Sequence, residues 1–128
     1  MASILVIEDT ADIRDILTRQ LRYAGHQVIG AMNGVDGIAC ARAHLPDLIV
    51  MDLVMPLLDG WEAIRQLKAD TRCAALPILA ITARAQAETK EQARAVGCDA
   101  FISKPFTMQE LFAVVNSLTG LAEEMASD

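Results

Sequence analysis

Residues 48–52, Leu48-Ile49-Val50-Met51-Asp52, join four apolar residues to one acid, with no alternation of polar and apolar positions. A strand with one face in water alternates with period two. A run that is apolar at every position fits a strand buried on both faces, as in a parallel sheet covered by helices. Four further runs lie to either side at roughly even spacing: Ile4-Leu5-Val6-Ile7, Val28-Ile29-Gly30-Ala31, Ile78-Leu79-Ala80-Ile81 and Ala100-Phe101-Ile102-Ser103.

Helix-like segments fill the intervals. Ile13, Ile16, Leu17, Leu21 and Ala24 follow the spacing of one buried helix face, with Thr10 as expected N-cap and Gly25 placed to end the helix. Asn33-Gly34 opens a second segment running to about Ala43. Asp59 and Glu62 have capping-box spacing, as do Thr107 and Glu110 ahead of Leu111, Val114, Val115 and Leu118. A further segment runs from about Glu88 to Val96 and stops at Gly97. Five β-α units in a row predict a doubly wound α/β domain with right-handed crossovers. Ligands of such sheets bind beyond the carboxyl ends of the strands.

The whole chain is 128 residues, the size of one domain. Residues 1–120 are expected to form it, with 121–128 ending the last helix or making a short acidic tail. Hydrophobic residues at 53% and charged residues at 22% exclude a disordered chain. Aromatics at 4% argue against a base-stacking surface, and a net charge of −6 argues against direct DNA binding. The acid excess is concentrated in residues 1–64, which hold nine acids against four bases. Cys40, Cys73 and Cys98 are widely spaced and form no C-x-x-C, so they read as small apolar residues in a reducing compartment. His26 and His44 form no metal-binding motif. With no signal-peptide pattern, and no apolar run near the about 20 residues of a membrane span, a cytoplasmic location is expected.

What collects at the strand ends carries the chemistry. The first strand runs into Glu8-Asp9, the third into Asp52, the fourth into Thr82-Ala83 and the fifth into Ser103-Lys104-Pro105. A parallel sheet brings all of these to one edge. Three carboxylates packed together repel one another unless a cation neutralises them. Mg²⁺ suits a site with few carboxylates, several waters and a phosphate oxygen. An aspartate can act as nucleophile to give an aspartyl phosphate, and phosphoryl transfer then needs little beyond positioning and charge neutralisation. Lys104 and the Thr82 hydroxyl are placed to serve the phosphoryl oxygens.

In this order and spacing, these residues resemble the receiver domain of two-component response regulators, over about residues 3–118. Glu8-Asp9 resembles the family's acidic pair, and Asp52 its phosphoacceptor. Met55-Pro56-Leu57-Leu58-Asp59-Gly60 is similar to the loop entering the third helix, Thr82-Ala83 to the hydroxyl and the small residue after it, and Lys104-Pro105 to the Lys-Pro after the fifth strand. The resemblance implies a flavodoxin-like fold with five parallel strands in the order 2-1-3-4-5, five flanking helices and a cis Lys104–Pro105 bond. It implies a phosphoacceptor that catalyses only its own phosphorylation and dephosphorylation. The phosphoryl group would come from a sensor histidine kinase or histidine phosphotransfer protein. Mg²⁺, or Mn²⁺ in its place, would be held by Asp9, Asp52 and the Val54 backbone carbonyl, with Glu8 acting through water. Thr82 and Lys104 would contact the phosphoryl group, and Phe101 would be the switch aromatic coupled to Thr82. The output would be contact with a downstream protein through the last helices and strand, with Lys90, Arg94, Phe101, Met108 and Phe112 as candidates; a homodimer is an allowed assembly. Val54 and Arg84 occupy positions that vary in the family and bear on phosphoryl lifetime.

Three rival readings fit less well. A haloacid-dehalogenase-like phosphatase also uses a strand-end aspartate but needs a second acid two residues on, where this chain has Val54. A flavin module on the same fold needs a glycine- and hydroxyl-rich phosphate loop after the first strand, where Glu8-Asp9-Thr10 has the wrong charge. A DNA-binding regulator needs a helix-turn-helix, for which no residues remain unless the chain is part of something longer.

Overall fold

Each apolar run becomes a strand in the computed structural model, which describes residues 2–53, 60–82 and 87–120. The order is β1 (Ser3–Ile7), α1 (Ala11–Tyr23), β2 (Gln27–Ala31), α2 (Gly34–His44), β3 (Leu48–Asp52), α3 (Gly60–Ala69), β4 (Ile78–Thr82), α4 (Ala87–Val96), β5 (Ala100–Ser103) and α5 (Met108–Thr119). The five strands form one sheet in the order β2-β1-β3-β4-β5, and every pairing is parallel. This is the expected doubly wound architecture.

Side chains along a strand alternate between faces, and both faces are apolar here. Leu5, Ile7, Ile49, Met51, Ile78 and Ala80 point to a layer completed by Ile38 and Ala41 of α2 and Ala63, Ile64 and Leu67 of α3. Ile4, Val6, Leu48, Val50, Leu79 and Ile81 point the other way, onto Leu17 and Leu21 of α1 and Leu111 and Val115 of α5. Burying a Leu, Ile or Val of this kind is worth about 1.5–3 kcal/mol.

Burial on both faces holds for β1, β3 and β4 but not for the outer strands. β2 exposes Gln27 and Gly30, and only Ile102 of β5 is fully buried. Each outer strand has a neighbour on one side only. Helix α1 also departs from the expected face: Leu17 and Leu21 are buried, Ile13 is half-buried and Ala24 exposed, and Ile16 is 54% exposed. The buried stripe follows 13, 17 and 21, so Ile16, about 100° round from Leu17, falls outside it. Thr10 occupies the N-cap position, but its side chain makes no capping hydrogen bond.

The other caps behave as their residue types predict. Asn33 Oδ1 accepts the Asp36 N–H at 2.8 Å, and Thr107 Oγ1 accepts the Glu110 N–H at 3.1 Å. Gly25 and Gly97 follow α1 and α4 at φ of 97° and 105°, a left-handed conformation that disfavours residues with a Cβ. The expected cap at Asp59 lies outside the described residues, as do 121–128.

At the amino ends of β4 and β5, Lys68 Nζ donates to the carbonyls of Ala74 and Leu76 at 3.2 and 3.1 Å and to Asp99 Oδ2 at 3.2 Å. The same carboxylate oxygen accepts the Ile78 N–H at 2.8 Å, and the Asp99 N–H donates to the Ile78 carbonyl at 3.0 Å. Cys73 is buried and Cys40 and Cys98 half-buried, all as free thiols. Burial, aided by the charge of Asp99, pushes the Cys98 thiol up to about 11, so it is protonated at neutral pH. Among the described residues, no helix is long and apolar enough to cross a membrane.

Candidate functional site

Parallel strands deliver their carboxyl ends to one edge, and the chain places an acid, a hydroxyl or a base after four of the five. The β1–β2 ladder closes with the Glu8 N–H donating to the Ala31 carbonyl at 3.0 Å. Glu8 is thereby drawn into the sheet edge and is 2% exposed, while Asp9 stands exposed beside it. Asp52 ends β3 and is 8% exposed. One carboxylate oxygen from each of Glu8, Asp9 and Asp52 lies within 4.8 Å of the others.

The basic side of the cleft comes from β5. The Lys104 N–H donates to the Thr82 carbonyl at 2.7 Å, which carries the ladder one step past the strand end. From there Lys104 Nζ reaches Asp52 Oδ2 at 3.3 Å. The Lys104–Pro105 bond is cis. Thr82 is buried at the end of β4. Phe101 pairs with Ala80 in the sheet and packs half-buried against the α2/α3 layer. Glu8, Asp9, Asp52, Thr82 and Lys104 therefore converge at one end of the sheet, with Phe101 a step back along β5. Val54, Ala83, Arg84 and the loop from Met55 to Asp59 lie outside the described residues.

The electrostatics of the acid cluster favour a cation. Burial, the hydrogen bond with Asp52 and the charge of Asp52 push the Glu8 carboxyl up to about 7; Lys104 and the Thr10 N–H act in the opposite direction. Lys104 thus does not offset the burial and mutual repulsion of the acids, which is what the raised Glu8 carboxyl reflects. The donors are all carboxylate oxygens, a set suited to a hard divalent ion of the Mg²⁺ type.

Two residues shape the site without having been singled out for it. The Gly60 N–H donates to the Leu53 carbonyl at 3.1 Å, and a Cβ at residue 60 would lie 2.6 Å from Leu53 Cα and 2.7 Å from the Asp52 carbonyl oxygen. Only glycine lets α3 begin so close to the β3 end; the available signal was a glycine at a helix start just beyond the strand-end acid. Arg14 Nη1 donates to the Glu8 carbonyl at 2.8 Å. Its signal was a base one turn into the helix that follows the acidic pair.

The sequence profile of the response regulator receiver domain matches residues 4–116. Protein PilH of Pseudomonas aeruginosa is 37% identical over 118 residues, covering 92% of this chain and 98% of its own length. The DNA-binding dual master transcriptional regulator RpaA of Synechocystis is 38% identical over 118 residues, but there the match spans 49% of the relative, so the chain corresponds to about half of that protein. The solved receiver domain of sensor histidine kinase PA1611 from Pseudomonas aeruginosa, with a magnesium ion coordinated in its active site cleft, matches with a TM-score of 0.87 at 29% identity. That match covers 93% of this chain and 98% of the other.

Proposed function

The chain belongs to the response regulator receiver domain family, a family of phosphoacceptor signalling domains rather than classical enzymes, and on that premise we propose that Asp52 is its phosphoacceptor. An Asp52 carboxylate oxygen attacks the phosphorus of a phosphohistidine donor. The O–P bond forms as the N–P bond breaks, and the imidazole leaves with the electron pair and takes up a proton. Lys104, 3.3 Å from Asp52 Oδ2, pairs with the phosphoryl oxygens, and the Thr82 hydroxyl donates to one of them. Attack by water on the same phosphorus releases phosphate and restores Asp52.

Glu8, Asp9 and Asp52 are the residues to hold Mg²⁺, with the Val54 carbonyl as a further candidate. When bound, the ion neutralises charge on the phosphoryl oxygens and on the cluster. What carries this reading is the convergence of three carboxylates within 4.8 Å with a lysine ion-paired to one of them. The magnesium-bound receiver of the PA1611 kinase supports the choice of metal.

The fitting donors are a sensor histidine kinase or a histidine phosphotransfer protein. The output is contact with a downstream protein or a second copy through α4, β5 and α5. Arg94 and Met108 are exposed on that side, and Phe101 and Phe112 are half-buried; the side chain of Lys90 lies outside the described positions. With a net charge of −6, the chain by itself does not read duplex DNA, and its place is the cytoplasm. The test is incubation with a small phosphodonor and Mg²⁺, followed by intact mass. One hydroxylamine-sensitive phosphoryl group is expected, lost on chelation and in Asp52→Asn. Full labelling of the Asp52→Asn protein would move the phosphoacceptor elsewhere.

A further inference from the structure

We propose that Arg14 is a positioning residue for the acidic pair: its guanidinium, carried past Gly30, fixes the Glu8 carbonyl and so sets Glu8 and Asp9 for a divalent cation. The proposal rests on the cation reading given above.

The need for such a group follows from where the sheet stops. The hydrogen bond from the Glu8 N–H to the Ala31 carbonyl is the last β1–β2 rung. Past it, β1 turns into α1 and β2 into α2. The Glu8 carbonyl sits beyond that rung on a residue 2% exposed, and a buried carbonyl needs a donor. Arg14 supplies it, with Nη1 at 2.8 Å.

Arg14 is itself anchored. Its backbone N–H donates to the Thr10 carbonyl at 2.9 Å, and its own carbonyl accepts from Thr18 Oγ1 at 2.7 Å. Its aliphatic stem passes β2 at Gly30, where a Cβ would lie 3.2 Å from Arg14 Cδ and 3.4 Å from Cγ. The missing side chain at residue 30 clears the path. The acid turn is thus held at the Glu8 N–H, at the Glu8 carbonyl, and at the Thr10 N–H, which donates to Glu8 Oε1 at 3.3 Å. Asp9 lies between these points, exposed but on a fixed backbone.

Charge and position predict opposite signs for the loss of Arg14. A positive group near a cation site opposes the cation, so as a bare charge Arg14 would weaken metal binding and its removal would tighten it. As a positioning residue its removal loosens the acid turn and weakens binding; groups that orient ligands typically contribute about 10–100-fold in metal affinity.

The experiment is Mg²⁺ titration calorimetry on the full chain, with amide hydrogen exchange of the metal-free protein. Arg14→Met keeps the apolar stem over Gly30 and removes donor and charge; Arg14→Lys keeps the charge and one donor. Expected are Mg²⁺ binding by the unaltered protein, affinity about tenfold weaker in Arg14→Met, an intermediate value in Arg14→Lys, and faster exchange of the Glu8 and Thr10 amides in Arg14→Met. Unchanged or tighter binding by Arg14→Met, or unchanged exchange, overturns the role. Gly30→Ala, whose methyl group forces the stem aside by a few tenths of an ångström, gives a second test if Arg14→Met does not fold. It should weaken binding in the same direction, and unchanged affinity again overturns the role. Absence of Mg²⁺ binding by the unaltered protein removes the cation reading and this role with it, an outcome distinct from binding that ignores residue 14.

Discussion

Thr82 and Phe101 lie on the same face of the sheet, one step apart on neighbouring strands. Phe101 is in register with Ala80, and Ser103 with Thr82. Because side chains alternate, Thr82 shares its face with Ala80, and both Ala80 and Phe101 pack into the α2/α3 layer. The ring is therefore diagonal to the hydroxyl, and its partner in register is only an alanine.

The first prediction concerns this pair. A phosphoryl mimic on Asp52 should draw the Thr82 hydroxyl toward it and open space that the Phe101 ring fills. A preference of about 1.4 kcal/mol shifts the rotamer ratio tenfold, and a near-complete swing takes about 5.5 kcal/mol. Fluorine NMR of labelled Phe101, with and without beryllofluoride, should show the shift, and Thr82→Ala should abolish it. An identical ring signal in both states would make Phe101 a static part of the core.

The second prediction separates the roles in the cleft. Asp9→Ala should weaken Mg²⁺ binding by about tenfold or more, because it removes a hard oxygen donor. Lys104→Met should leave Mg²⁺ binding in place and slow phosphoryl transfer by about 10²–10³, the usual cost of losing one charge-stabilising donor. Calorimetry and rapid-quench labelling check the two. Equal transfer rates in Lys104→Met and the unaltered protein would remove Lys104 from the reaction.

The third prediction is a pH dependence of stability far from the cleft. His26 is buried, and its Nδ1 accepts the Ala2 N–H at 3.1 Å, which requires that nitrogen to be unprotonated. Burial, and after it the positive N-terminus, holds the imidazole below its ordinary 6.5. A depressed value means that the unfolded chain takes up the proton first. The contribution is therefore fully present above about pH 6.5 and is lost as pH falls through the unfolded and then the folded value. Urea midpoints between pH 8 and pH 5 should fall more steeply for the unaltered protein than for His26→Asn. Parallel curves would refute the linkage.

The fourth prediction compares two buried glycines. A methyl group at residue 60 would meet the Leu53 and Asp52 backbone, which cannot give way, whereas one at residue 37 would meet Cδ1, Cγ1 and Cγ2 of Ile7, a buried side chain that can relieve the contact only by repacking. Gly60→Ala should therefore cost about 1–3 kcal/mol or more, and Gly37→Ala less. Gly60→Ala should also slow labelling of Asp52, because it displaces the end of β3. Urea denaturation and the labelling rate decide it; a larger loss for Gly37→Ala would reverse the argument.

The strands and the site were largely legible because both are written in short, local signals. Leu48 to Asp52 announces a strand and its terminal acid in five letters, and parallel topology then fixes which edge that acid shares with Glu8, Asp9 and Lys104. Contacts between distant positions were not legible. That Gly30 clears a path for Arg14, or that Gly60 must lack a Cβ because of Leu53, depends on how closely α1 passes β2 and α3 passes β3. Ile16 was placed on the buried face because 16 and 17 both satisfy helical spacing; only the strands beneath α1 decide between them. The outer strands read as fully buried because residue type records hydrophobicity and not the number of neighbours.

The Lys68–Asp99 network ties β4 and β5 together at the end farthest from Thr82 and Lys104. One ammonium and one carboxylate there close off the Ala74 and Leu76 carbonyls and the Ile78 N–H, backbone groups that would otherwise have to turn to water. Removing either side chain should therefore be felt first as a loss of order where β4 and β5 begin, with the cleft residues at the opposite end keeping their own partners.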